Sequence, residues 1–203
     1  MLSFLDPILF PDDIQIFEVS ENRYVYPIFK NGSESLRDKH FRQLTTNEIT
    51  ELENIEVFVR DPFSRYISGV QTFLRYNPEL DRDTVLSLIN RYLFLDRHFT
   101  LQFHWLVNLR KFCDPWIYIR SIDELKSATD SFEHIVACDQ SLINYFKSNL
   151  KLHYYLQLDK IITEDFLNQT VKMSTILLHV KFKYPDLYKE IIERSKDICA
   201  VLD

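Results

Sequence analysis

The stretch IEVFVRDPFSRYISGVQTFLRY, residues 55–76, decides the architecture. Its first part is a short apolar, β-rich run, and Pro62 then stands where the first turn of a helix tolerates it, because an N–H there makes no intrahelical bond. Phe63, Ile67, Val70, Phe73 and Leu74 recur at helical spacing and predict one apolar face. A buried-type strand running straight into an amphipathic helix is the repeating unit of an α/β fold.

The flanking sequence extends this pattern. IQIFEVS, the polar pair Glu21-Asn22, and RYVYPIF predict two strands about a tight turn. SESLRDKHFRQL follows with Leu36, His40 and Leu44 at four-residue intervals, which predicts a helix. DRDTVLSLINRYLF carries acidic residues at its start and a stripe of Val85, Leu88, Ile89 and Tyr92. WIYIRS holds one further strand, Trp116 to Arg120. IDELKS, DQSLINYFKSNL, ITEDFLNQTVKMSTILLHVKF and YPDLYKEIIERSKD then predict four helical segments. The expectation is an α/β chain with a small, mostly parallel sheet flanked by helices and a helical C-terminal half. With 203 residues, 46% of them apolar, and no linker or repeat, residues 1–203 are expected to form one domain.

Composition excludes several functions. A net charge of −6 argues against general nucleic-acid binding, which needs a basic surface to displace counterions. No apolar run is long enough for a membrane span. The start, MLSFLDPILFPDD, lacks a basic region and is broken by Asp6, Pro7 and Pro11, unlike a signal peptide. Cys113, Cys138 and Cys199 are odd in number and widely spaced, as thiols in a reducing compartment are, so a cytoplasmic location is expected. The six histidines show no HExxH spacing, and no metal is assigned.

Gly32 and Gly69 are the only glycines, and both stand near a passage from strand to helix. In open α/β sheets that edge binds ligands, and a helix N-terminus there favours anions. In FKNGSESL, Lys30 brings a cation, Gly32 permits a close backbone approach, and Ser33 and Ser35 bring hydroxyl donors. Lysine precedes the glycine, so this is not the GxxxxGK[ST] loop of ordinary ATPases and GTPases. Taken alone, the loop is equally a turn in which Ser33 caps a helix. In the second loop, Arg60 ends a strand and Ser68 lies two turns into the next helix. A guanidinium suits bidentate grip on a phosphate, and a hydroxyl can complete the cage. Two such loops on neighbouring strands point to a ligand with two separate phosphate groups. Gly69 is read as a site of close packing behind Ser68.

K-x-G-[ST]-x-[ST]-L followed by VxRDPxxRxxSG resembles the sulfotransferases that use 3′-phosphoadenylyl sulfate (PAPS), most of all their carbohydrate-modifying branch. LDRHFTLQFHWL is similar to the family's D-x-H-[FW]-x-x-Q segment, and WIYIRSIDEL to its third strand with a short acidic helix start. The resemblance spans about residues 24–125. It implies a P-loop-NTPase-like sulfotransferase fold and PAPS as co-substrate without a metal. Lys30, Asn31, Gly32, Ser33, Glu34 and Ser35 would form the phosphosulfate loop. Arg60 and Ser68 would hold the 3′-phosphate. Glu34 departs from the Thr or Ser common there. The implied activity is sulfuryl transfer to a hydroxyl of a saccharide or small molecule, with Lys30 stabilising the leaving oxygen. His98 is the first choice for the base, with His40 and Glu34 as alternatives. An atypical small-molecule kinase and a non-catalytic nucleotide-binding protein on the same scaffold are the competing functions. His104, His134, His153 and His179 are read as structural. Phe99, Phe103 and Trp105 are read as core, and Lys181 and Lys183 as solvated. Acceptor identity and oligomeric state are left open.

Overall fold

The computed structural model describes residues 14–28, 30–31, 40–110, 112–127 and 138–194. Strand β1 (Phe17–Ser20) turns through Glu21 and Asn22 into β2 (Arg23–Tyr26). Asn22 takes the left-handed conformation such a turn demands, with φ 57°. Strand β3 (Arg42–Gln43) precedes the short helix α1 (Thr46–Thr50), which Thr45 and Glu48 cap reciprocally. Strand β4 (Asn54–Val59) then leads into α2 (Pro62–Tyr76). The helix begins at the expected place: Asp61 accepts the Ser64 N–H at 2.7 Å, and Pro62 occupies the first turn.

Helices α3 (Arg82–Tyr92) and α4 (Gln102–Arg110) follow, then β5 (Trp116–Ser121) and α5 (Ile122–Ser127). The remainder comprises α6 (Gln140–Phe146), α7 (Leu150–Lys160), a π-helical turn (Ile161–Asp165), β6 (Thr170–Val171), α8 (Met173–Lys183) and α9 (Pro185–Arg194). Among the described residues, no helix is long and apolar enough to cross a membrane.

The six strands form one open sheet in the order β3-β1-β2-β4-β5-β6. Only β2, β4 and β5 are mutually parallel; β1, β3 and β6 pair antiparallel. The expected mostly parallel sheet is therefore a mixed one. A two-residue turn can only return a chain antiparallel, so the β1–β2 hairpin already fixes one such pair.

Two local readings are also corrected. The helix expected over residues 33–44 falls largely outside the described residues, but its end is strand. Arg42 and Gln43 pair with Glu18 and Phe17, and the Arg42 guanidinium bonds Glu18 at 2.8 Å. ITEDFLNQTVKMSTILLHVKF is not one helix but a π turn, a loop, an edge strand and α8. Asn168, at φ 60°, breaks the helical path, and its N–H is taken by Ile119 O at 2.8 Å, docking the segment on β5. Helix α7, which Asn149 caps through the Leu152 N–H at 2.8 Å, is an element the sequence reading passed over.

The core lies between the sheet and the α2–α4–α7–α8 layer. Residues 102–109 of α4 are all buried, so this helix is wrapped on every side and shows no amphipathic stripe. Tyr66 of α2 meets Phe94, Phe99 and Phe146 edge-on at 5.5–6.0 Å and donates its hydroxyl to Leu93 O at 2.9 Å. Phe99, Phe103 and Trp105 are core residues, exposed by no more than 2%.

Candidate functional site

Strands β2 and β4 are adjacent and parallel, so the turns that follow them emerge at the same edge of the sheet. After β2, the Asn31 N–H closes a turn onto Ile28 O at 3.0 Å. Lys30 is the third residue of that turn and has φ 66°, a conformation usually left to Gly or Asn. After β4 come Arg60, half-buried, and the Asp61 cap of α2.

A buried amide joins the two turns. Asn31, 1% exposed, donates through Nδ2 to Phe58 O at 2.9 Å and to Gln102 Oε1 at 2.6 Å. Gln102 Oε1 also accepts the Arg60 N–H at 3.0 Å, and its Nε2 donates to Arg60 O at 2.9 Å. The side chain of Gln102 thus satisfies both main-chain groups of Arg60, as a neighbouring strand would.

Gln102 is itself anchored. It opens α4, and Asp159 of α7 accepts the Gln102 N–H at 2.9 Å and the Phe103 N–H at 2.8 Å. This is a helix cap supplied from a distant element, with a negative charge at the positive end of the dipole. Burial pushes the Asp159 carboxyl above its ordinary range, opposed by the Arg65 charge and the N–H bonds. Arg65, 1% exposed, donates to Thr100 O, and burial lowers it to about 10 against the pull of Asp159. Each charge makes the other tolerable in the interior.

Lys30, Asn31 and Arg60 are therefore brought to one edge and linked. Gly32, Ser33, Glu34 and Ser35 lie outside the described residues. Ser68 is half-buried on α2, where its carbonyl accepts the Thr72 hydroxyl at 3.0 Å. Arg60 Nη2 lies 4.0 Å from Cys138 Sγ, and that thiol donates to Ser64 O at 3.5 Å. Gly69 has the role expected of it. A Cβ there would come within 2.6 Å of the His98 carbonyl carbon and 2.7 Å of Phe99 Cβ.

The candidate bases lie elsewhere. The His98 ring sits 6.1 Å from the Tyr76 ring at the C-terminal end of α2, and its Nδ1 is 2.5 Å from Asp96 Oδ1. The backbone of the same residue passes Gly69, midway along α2 and directly after Ser68. Burial alone would raise Asp96, but bonds from the His98 ring and backbone outweigh it and hold the carboxyl below its ordinary value. His40 precedes β3, whose register brings the chain in from the edge where β2 begins, opposite to Lys30. His104 packs against Phe94 and Phe103, His153 stacks on Phe63 at 5.3 Å, and His179 contacts Asp165 at 3.0 Å. His134 falls outside the described residues. Lys183 also bonds Asp165, and Lys181 lies over the Tyr188 ring at 5.8 Å.

Sequence reasoning missed Gln102, Asp159 and Arg65 as parts of the site. The first and last stood in quoted segments, LDRHFTLQFHWL and RDPFSR. Asp159 had one signal, a lone acid among the four aliphatic residues of LQLDKII. Among the described residues, no group of three His, Cys, Asp or Glu side chains could hold a metal ion. No family model, no curated protein and no solved structure matches the chain.

Proposed function

We propose that the protein is a PAPS-dependent sulfotransferase that moves a sulfuryl group to a hydroxyl, the acceptor being a saccharide or another small alcohol. The observation that carries this reading is the tie between the Lys30–Asn31 turn and Arg60 through Gln102. Two cations in the linked turns that follow neighbouring parallel strands suit a ligand with two anionic ends. In the reaction an acceptor oxygen bonds to sulfur while the sulfur–oxygen bond to the 5′-phosphate breaks. The acceptor proton leaves to a base, and adenosine 3′,5′-bisphosphate departs. Lys30 stabilises the charge growing on the departing oxygen, and the residues from Gly32 to Ser35 cradle the phosphosulfate, while Asn31, its donors spent on Ile28, Phe58 and Gln102, holds the turn beneath them. Arg60 and Ser68 take the 3′-phosphate, which distinguishes PAPS from ATP.

A non-catalytic nucleotide-binding role is the second reading. What favours it is the engagement of the His98 ring by Asp96 and the siting of His40 toward the opposite edge, which leaves Glu34 as the base candidate within the loop.

Calorimetric titration with adenosine 3′,5′-bisphosphate, AMP and ATP tests the donor site. The bisphosphate is expected to bind more tightly than AMP, and Arg60→Ala to weaken it about tenfold to a hundredfold, as loss of a charge-assisted bond does. Equal affinity for AMP and the bisphosphate, or an unaffected Arg60→Ala, sinks the reading. Binding without turnover on any alcohol selects the non-catalytic role.

A further inference from the structure

Gln102 is fully buried, and every polar atom of its side chain is spent on the two turns of the site. Its bonds reach Asn31, the residue directly after Lys30, and both main-chain groups of Arg60. Asn31 in turn reaches Phe58 O, so the first turn is pinned to β4 directly and to Arg60 through Gln102. The Gln102 main chain cannot drift either, because Asp159 holds it from α7, inside the core and beside Arg65.

A buried amide with three bonds is not what stability alone requires. An apolar side chain of equal volume would fill the place, provided that its neighbours' polar groups were also removed. Here the neighbours are the main chain of Arg60 and the side chain of Asn31, so the amide fixes where both cations begin.

We propose that Gln102 is a positioning residue that sets the spacing between the Lys30 and Arg60 turns, and so makes the site selective for a ligand with two separated anionic groups over one with a single group. This inference rests on the two-anion reading of the site given above. A ligand gripped at both ends gains its second contact almost free of entropy only if the two grips keep a fixed separation. A ligand gripped at one end gains nothing from that spacing. Loss of Gln102 therefore acts on the ratio of the two affinities, not on both alike.

The test compares wild type with Gln102→Met, which keeps length and loses all three bonds. Affinities for adenosine 3′,5′-bisphosphate and for AMP are measured by calorimetry, with thermal unfolding in parallel. The bisphosphate is expected to weaken about tenfold to a hundredfold while AMP changes less than about threefold. A preserved ratio, whatever the fall in melting temperature, overturns the proposal, because a merely structural role would lower both together.

Should Gln102→Met not fold, Gln102→Glu serves. Its Oε1 still accepts from Asn31 and Arg60, but its second oxygen faces Arg60 O and restores that bond only when protonated. Selectivity should then fall below that of wild type as the pH is raised and this buried carboxyl ionises, with wild type measured at each pH because the ligands' phosphates titrate near about 6; a ratio that tracks wild type at every pH up to that of the variant's unfolding overturns the proposal.

Amide hydrogen exchange separates this inference from the function it rests on. If wild type binds no bisphosphate, the sulfotransferase reading fails, and the coupling of the turns is judged by exchange alone. Faster exchange in Gln102→Met at both Asn31 and Arg60 supports the spacer, whereas acceleration at Arg60 only rejects it.

Discussion

Lys30 holds a backbone conformation, φ 66°, that costs an ordinary side chain roughly 1 kcal/mol and costs glycine nothing. A lysine kept at such a position is explained more readily by what its ammonium does than by stability. Lys30→Gly is accordingly expected to leave the melting temperature unchanged or raise it. Turnover should fall about a hundredfold or more, the scale of losing one group aimed at developing charge. Stopped assays with a sulfated donor, run beside thermal unfolding, check both halves. Turnover within threefold of wild type would remove Lys30 from its role. Residue identity made Lys30 and Arg60 visible in the sequence, because a cation beside a turn is a local feature. Gln102 was not visible as their link, since its partners lie 71 and 42 residues away.

At the scale of elements, α2 shows how closely a helix can be laid on a loop. The backbone of His98 and Phe99 passes so near Gly69 that an alanine Cβ would stand 2.6–2.7 Å from their carbons. Those atoms are a main-chain carbon and a Cβ, which cannot swing aside like the tip of a long side chain. Gly69→Ala should gain up to about 1 kcal/mol in helix propensity and still be destabilising overall by about 2 kcal/mol, because overpacking dominates. Urea unfolding measures the net change; a neutral or stabilising substitution would show that the helix and the loop are not in this contact. The start of α2 was legible from Pro62 and its face from the apolar spacing, whereas the Asp61 cap came only with the structure. Strand β6 was not legible, being two residues long and defined only by its pairing with Ile117 and Tyr118 of β5.

Across the whole molecule, carboxylates hold elements together. Glu56 on β4 accepts from Arg23 on β2 at 2.8 Å and from Arg120 on β5 at 3.2 Å, spanning the parallel strands. Burial would raise Glu56, but the two guanidinium groups outweigh it and hold it below its ordinary value. Asp165 is held down in the same way by Lys183 and His179 against its burial, and Asp96 by His98. At helix starts, Thr45 and Arg42 bring Glu48 to about 2, and Ser141 and Arg82 bring Asp139 to about 2. The Thr84 bonds lower Asp81.

A carboxyl lowered on folding adds stability above its unfolded value, and that stability is lost as pH falls through the folded value. Asp159, raised on folding, acts in the opposite sense: its contribution is present at low pH and lost as pH rises through its folded value. Six lowered groups against one raised group predict a urea midpoint that falls as pH drops from about 4.5 to about 2. A midpoint equal at pH 7 and at about pH 3 would contradict this balance.

Neighbours within a few residues control the β1–β2 turn, the Pro62 entry to α2, the strands in IEVFVRD and WIYIRS, and the close approach at Gly69. Helical periodicity, capping and turn preference act over one or two turns, so they can be read along the chain. Tertiary packing makes the sheet mixed, breaks ITEDFLNQTVKMSTILLHVKF into several elements, and turns the His98 ring onto Asp96. It alone decided that Asp159, Gln102, Asn31 and Arg60 form one buried connection. Hydrogen bonds between residues tens of positions apart depend on how α4 and α7 pack beneath the sheet. That packing is settled by the burial of the whole core and not by any short stretch of sequence.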